Sequence, residues 1–156
     1  MKYNFIDIEK FNRMLRQQMG KRYKFGAEIE VGRKAIDAAT EWDCSEILQV
    51  HFNMFGSSLP DGSQNQFDYC LPVDKPCVGD LGFSGSGPKG INHVFILISG
   101  RWVLEARGKP YNRVILRPRA KWEAWRGFQG WRRVPDVKFY WPVTRRPVRD
   151  YPGGLD

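Results

Sequence analysis

Three side chains in this sequence are of the right types for acyl chemistry: Cys44, His93 and Glu105. Cys44 lies in EWDCSEILQVHF, just after Asp43, where an amphipathic pattern begins. A thiol attacks a carbonyl only as the thiolate. A helix N-terminus and a nearby imidazolium both favour that form. Asp43 can cap a helix whose first residue is Cys44, so the first effect is available from local sequence alone. The second effect needs a histidine, and the chain has two. His51 follows Cys44 by two helical turns, roughly 10 Å of rise, which is too far for a hydrogen bond. It reads as a core or groove residue. His93 opens the run HVFILI, which is otherwise apolar. A polar ring at the mouth of a buried strand is either a satisfied core histidine or a general base.

A base of this kind must be oriented by a third group. Glu105 sits on the next strand-like run, RWVLEAR. A three-residue loop Ile98-Ser99-Gly100, with Gly100 left-handed, sets Leu97 opposite Arg101 and His93 opposite Glu105, on one face of the sheet. A two-residue loop puts Glu105 on the other face, because the side-chain period of a strand is two.

The elements that must hold these groups follow from periodicity. Asp7 caps a first helix with Ile8, Phe11, Met14, Leu15 and Met19 on one face and Gly20 at its end. Residues 21–41 read as irregular. The helix from Asp43 carries Cys44, Ile47, Leu48, His51 and Phe55 on one face and closes at Gly56. Asp43 and Glu46 together read as a variant capping box. LPDGSQNQF is a turn, with Ser63 and Gln66 as caps of a short third helix. After Gly79 the runs become strand-like: GDLGFSG, INHVFILIS, RWVLEAR, YNRVILRP and VKFYWPV. Helices first and strands afterwards is the pattern of an α+β domain. The expected organisation is one unit over residues 1–142 and an extended basic Pro/Arg-rich tail over 143–156.

Composition excludes several classes. The 156 residues contain no long apolar run for a membrane span. The start, MKYNFIDIEKF, has no apolar core of a secretory signal. The expectation is therefore a protein made in the cytoplasm that acts after release, injection or assembly into a larger particle. Cys70 and Cys77 read as reduced thiols, with a disulfide as the alternative. Three cysteines without a CxxC, and two histidines, do not make a zinc site, so no metal or cofactor is expected. The net charge of +8 is uneven. Residues 1–108 hold 13 Lys or Arg against 13 Asp or Glu, whereas residues 109–156 hold 12 against 4. That third attracts polyanions or is simply a solvated face. Trp122, Trp125, Phe128 and Trp131 recur every third residue within it. Most of these rings are expected to pack on the sheet.

The ordered set DCSE, LPDGSxNQ, GD with a Gly-rich loop, HV followed by four apolar residues, and EARG resembles the NlpC/P60 cysteine peptidases, in particular a phage and actinobacterial subset. GKRYKFGAE is similar to that family's G-x-x-Y-x-x-G segment, and RGFQGWRRVPDV to the subset's closing strands, so the resemblance covers about residues 20 to 135. It implies a papain-like fold, with N-terminal helices on a central antiparallel sheet, and hydrolysis of cell-wall peptides after D-γ-glutamate. By position it implies Cys44 as nucleophile, His93 as base and Glu105 as the orienting group, a position most often held in the wider family by His, Asn or Gln. It further implies Tyr23 near the oxyanion, Asp43 as the acid before the nucleophile, and Ser63 and Gln66 beside the substrate groove. The implied partner is bacterial peptidoglycan, with a phage tail component or a pore-forming lysis partner, no specific nucleic acid and no membrane insertion. An injected toxin with an immunity partner, a thiol acyltransferase and a non-enzymatic basic binding module are the rival readings.

Overall fold

The computed structural model describes residues 2–148. Its elements run β1 (Asn4–Asp7), α1 (Ile8–Arg16), β2 (Arg22–Tyr23), α2 (Arg33–Ala38), β3 (Glu41–Trp42), α3 (Cys44–Met54), α4 (Ser63–Tyr69), β4 (Leu71–Val73), β5 (Leu81–Gly85), β6 (Ile91–Leu97), β7 (Trp102–Arg107), β8 (Arg113–Pro118), α5 (Arg119–Glu123), β9 (Phe128–Arg133) and β10 (Val137–Tyr140). Eight strands form one sheet in the order β3-β2-β8-β7-β6-β5-β9-β4, antiparallel except for the short β2–β3 pair. The result is an α+β fold with the helices packed on a mainly antiparallel sheet.

The two faces of that sheet divide the core. On one face Val94 and Ile96 of β6 and Leu104 and Ala106 of β7 pack with Cys44, Ile47 and Leu48 of α3 and with Phe11 and Leu15 of α1. On the other face Phe95, Leu97 and Val103 pack with Trp122 and Trp131. The alternation follows from the pleat, which sends successive side chains to opposite sides. Trp122 stacks on Phe95 with ring centroids 4.6 Å apart, and Trp131 meets the same ring edge-on at 5.8 Å. Trp125 is the outlier of the aromatic series, at 55% exposed.

Three differences from the sequence reading have local causes. The segment 21–41 is not wholly irregular: it holds β2, α2 and β3, each too short to show a period. A strand also precedes the first helix. β1 pairs in parallel with β10, Asn4 opposite Val137 and Asp7 opposite Tyr140, a contact between distant parts of the chain that local pattern cannot reveal. The β6–β7 loop is Ser99-Gly100-Arg101 rather than Ile98-Ser99-Gly100, since Leu97 pairs with Val103 and the Ile98 N–H donates to the Trp102 carbonyl. The turn closes through the Ser99 hydroxyl, which accepts from the N–H groups of Arg101 and Trp102, and Gly100 has no positive φ.

β9 lies between β5 and β4, and β10 holds β1, so the C-terminal third completes the sheet. A chain ending at residue 120 is therefore expected not to fold. Circular dichroism or proteolysis of that fragment checks this, and a stable 1–120 species would show a separable C-terminal module. Of the expected tail, Val143 is 89% exposed, but Val148 is 1% exposed and packs with Ile8, Cys77 and Val78. The rest of the tail, 149–156, lies outside the described residues.

Candidate active site

α3 begins as its sequence requires. Asp43 is extended, and its Oδ1 accepts the Ser45 N–H at 3.0 Å, which places Cys44 at the first helical position. Its Oδ2 accepts the Gly26 N–H at 2.9 Å. One carboxylate thus caps the helix and ties down the turn after Tyr23. Gly26 has φ 77, a left-handed conformation that a side chain would strain. Tyr23 is held there beside the thiol. Burial, and then the charges of Cys44 and Asp43, push its hydroxyl up to about 12, so it remains an O–H donor at neutral pH. Gly108 makes room for the ring: a Cβ at that position would lie 3.2 Å from Cε1 of Tyr23.

Cys44 itself is buried, at 8% exposed. Burial, and next the charge of Asp43, push its thiol up to about 12, against hydrogen bonds from the Val94 and Ser45 backbones that favour the thiolate. Burial and Asp43 thus outweigh the backbone contacts that favour the thiolate. The Cys70 thiol is likewise pushed up to about 12 by burial. All three cysteines are free, so Cys70 and Cys77 are not bonded to each other.

The Val94 backbone contact sets the thiol against β6, at the residue that follows His93 in the strand. The imidazole Nε2 lies 3.0 Å from Oε1 of Glu105, whose side chain is fully buried. Because Leu97 pairs with Val103, His93 and Glu105 are diagonal rather than directly opposed. The shift of loop by one residue moves both ends of the turn, so the two side chains stay on one face. Two further groups complete the setting of Glu105. Its Oε2 accepts from the indole Nε1 of Trp122, and an Arg107 guanidinium nitrogen lies 3.6 Å from Oε1. Arg107 also lies over the Trp122 ring at 4.9 Å, and His93 packs against that ring at 5.3 Å. Neither residue carried a sequence signal for this role. Trp122 belonged to an aromatic series that read as packing, and Arg107 to the EARG motif.

The remaining candidates are placed differently. Gln66, expected beside a substrate groove, is entirely buried, and its amide donates to the carbonyls of Ser45 and Pro60 at 2.9 Å each. It clamps α4 to α3. Ser63 is partly buried at the head of α4, where its hydroxyl reaches the Ile91 carbonyl at 3.5 Å. Neither residue caps α4, whose N-cap is Gly62 with no side-chain bond. Gln64, not singled out by the sequence, accepts the Ile91 N–H and donates to the Pro88 carbonyl, both at 2.9 Å, which fixes the loop leading into His93. His51 is a core residue packed against Trp42, with Nδ1 2.6 Å from the Ile47 carbonyl. Among the described residues no cluster of three His, Cys, Asp or Glu could hold a metal ion. No helix among them is long and apolar enough to cross a membrane.

Glu46 does more in DCSE than the cap requires. Its Oε2 accepts the Ile29 N–H, so it pins the 27–30 segment across α3, and the Asp43 backbone also favours its charged form, as the capping-box reading expects. It is 4% exposed, and burial pushes its carboxyl up to about 7. His51 moves the other way, down to about 4, again through burial. The signs oppose each other in stability. The folded state holds the Glu46 proton more tightly than the unfolded chain does, so that contribution is present below about pH 4.5 and lost as pH rises through 7. The folded state resists protonating His51, so that contribution is present above about 6.5 and lost as pH falls toward 4. Between pH 5 and 7 they offset. Glu46→Gln keeps an acceptor for Ile29 and removes one side of the balance. The variant is expected to lose about 2 kcal/mol relative to wild type on going from pH 7 to pH 5, read by denaturant unfolding. Parallel pH profiles for the two proteins would refute the assignment.

A thiol at the head of a helix, packed on an antiparallel sheet whose neighbouring strands hold an imidazole–carboxylate pair, defines the papain-like α+β class. A model of the NlpC/P60 family matches residues 20–125, and the chain belongs to that family. The P60 domain of antigen MAP1204 from Mycobacterium avium subspecies paratuberculosis is similar, with 27% identity over 81% of this chain and 93% of that one, and a TM-score of 0.62. RipB from Mycobacterium tuberculosis, described as a peptidoglycan hydrolase, is 25% identical over 81% of this chain and 64% of its own, also with a TM-score of 0.62. NlpC2 from Trichomonas vaginalis shares the fold at 15% identity, covering 82% and 47% of the two chains, with a TM-score of 0.65. No curated protein matches the sequence.

Proposed function

We propose that the protein is a cysteine peptidase that hydrolyses an amide bond in the stem peptides of peptidoglycan. The observation that carries this reading is the His93–Glu105 hydrogen bond on strands whose neighbouring backbone, at Val94, also binds the Cys44 thiol. Family membership and the similarity to RipB support the substrate class.

In this reading Glu105 fixes the His93 ring through Nε2, which leaves Nδ1 to take the thiol proton. Because the resting thiol is neutral, proton transfer accompanies attack: the sulfur bonds to the carbonyl carbon as the proton passes to His93. The backbone N–H of Cys44, one of the unpaired donors at a helix start, and the Tyr23 O–H stabilise the oxyanion. His93 then protonates the leaving amine, and a water activated by the same ring releases the acyl-enzyme. No cofactor enters these steps.

The bond we propose follows D-γ-glutamate and precedes diaminopimelate or lysine. Digestion of purified sacculi followed by mass analysis of the released fragments tests this. Products with a new N-terminal diaminopimelate or lysine are expected. Cleavage elsewhere in the stem would discard the bond assignment, and intact sacculi would discard the hydrolase. Products carrying a new ester or amide in place of a free carboxylate would favour acyl transfer. The setting we propose is a phage lysin or virion-associated hydrolase. Cytoplasmic expression in a susceptible host should then cause lysis only when a pore-forming partner is supplied, and lysis without one would remove the lysin assignment.

A further inference from the structure

The sheet face that carries His93 opens into a cavity of about 790 Å3, a volume suited to a ligand of sugar or nucleotide size. Cys44 is not on its wall, but His93 is. Among the described residues five cations line it, Arg107, Lys109, Arg117, Lys121 and Arg126, and no carboxylate does. Beneath it Glu105 is fully buried and already holds His93, Trp122 and Arg107. Arg107 and Arg117 are supported from below, lying over the rings of Tyr111 and Trp122. Lys109, Lys121 and Arg126 are exposed, and among the described residues their side chains make no ion pair or hydrogen bond. Trp125 stands at the rim with half its surface in solvent.

This concentration of like charge is unfavourable in the free protein and favours an occupant that brings several negative charges. A single carboxylate satisfies one guanidinium fork and leaves the other cations facing each other. A phosphate group engages several at once, and an exposed indole offers a face to an adjoining ring. Because the cavity shares His93 with the proposed reaction centre, its occupant belongs to the chain being cut rather than to an unrelated polyanion. We propose that the cavity is a phosphate subsite that holds a phosphodiester-bearing, sugar-containing polymer attached to the peptidoglycan substrate. This rests on the hydrolase reading for the identity of the substrate, and adds to it a preference for phosphorylated wall.

The test uses full-length protein with Cys44→Ala, so that substrate is bound without being consumed. Binding is measured to sacculi before and after hydrofluoric acid removes their phosphodiester polymers. Untreated sacculi should bind at least about tenfold more tightly, the difference expected of several charge-assisted contacts, and raised salt should shrink the gap. Adding Lys109→Ala, Lys121→Ala and Arg126→Ala should abolish the gap, with folding checked by near-UV circular dichroism. Adding Arg13→Ala and Arg16→Ala, exposed cations on α1 outside the cavity, should leave it in place. Equal binding to both sacculi would overturn the proposal and point to stem-peptide carboxylates as the anions. So would an equal loss from the α1 variant, which would indicate unspecific charge, or tighter binding to single-stranded DNA than to untreated sacculi. Turnover is not read in this experiment. If wild-type protein failed to cut sacculi while the gap persisted, the hydrolase reading would fall and the subsite would stand.

Discussion

Cys44→Ala is expected to abolish release of peptides from purified sacculi while leaving the protein folded. The chemical part follows from the loss of the thiol that forms the acyl bond in the proposed reaction. The structural part follows from size. Cys44 is buried against Val94 and α3, but removing one sulfur from a site at 8% exposure changes stability by about 1 kcal/mol. Asp43 still caps the helix through Ser45 and still holds Gly26, so neither α3 nor the Tyr23 turn depends on the thiol. The alkylation behaviour of the wild type gives a second readout. With the thiol pushed up to about 12, iodoacetamide should label Cys44 slowly at pH 7 and faster with each unit of pH above it. A plateau of fast labelling below pH 7 would mean a preformed thiolate–imidazolium pair and would refute the concerted proton transfer proposed above. Residual sacculus digestion by Cys44→Ala would remove the nucleophile assignment altogether.

The chemistry-bearing residues were legible in the sequence to different depths, for physical reasons. Cys44 at the head of a helix was readable because capping is local: an aspartate before an amphipathic run fixes where the helix starts. The thiol's protonation was not, since burial under β6 and beside Tyr23 depends on segments far apart in sequence. The partnership of His93 and Glu105 depended on loop length, and there the outcome turned on parity. The sequence placed the loop one residue early because Ile98 looks equally well like strand or turn. The observed loop still contains three residues, so the faces were right while the direct pairing was not. Gln66 shows the opposite case. A polar residue in a motif near a groove suggests contact with substrate, yet its amide bonds two buried carbonyls, a role that polar type alone cannot distinguish. The β1–β10 pair was invisible because two four-residue strands separated by most of the chain leave no mark on local periodicity.

Glu105→Gln is expected to reduce kcat by about 10² to 10⁴ while changing KM little. The carboxylate accepts from two donors, His93 at Oε1 and Trp122 at Oε2, and an Arg107 guanidinium nitrogen lies 3.6 Å from Oε1. A glutamine has one acceptor oxygen and one amide nitrogen. If its oxygen serves His93, its amide faces the indole N–H of Trp122, donor against donor; if it serves Trp122, the amide meets the imidazole and demands the wrong tautomer. In either arrangement the imidazolium formed during attack loses its counter-charge, and Arg107 adds like charge in its place. Arg107 also bears on how a charged acid would serve as the orienting group proposed for Glu105. Its guanidinium, stacked on Trp122, offsets the extra negative charge of the buried carboxylate. Trp122→Phe separates orientation from charge, because it keeps the ring against His93 and removes one hydrogen bond. It should lower kcat by less than Glu105→Gln does, because the carboxylate that faces His93 stays in place. A Glu105→Gln enzyme with wild-type kcat, or one whose whole defect lay in KM, would show that Glu105 is a buried structural acid and that His93 acts without it.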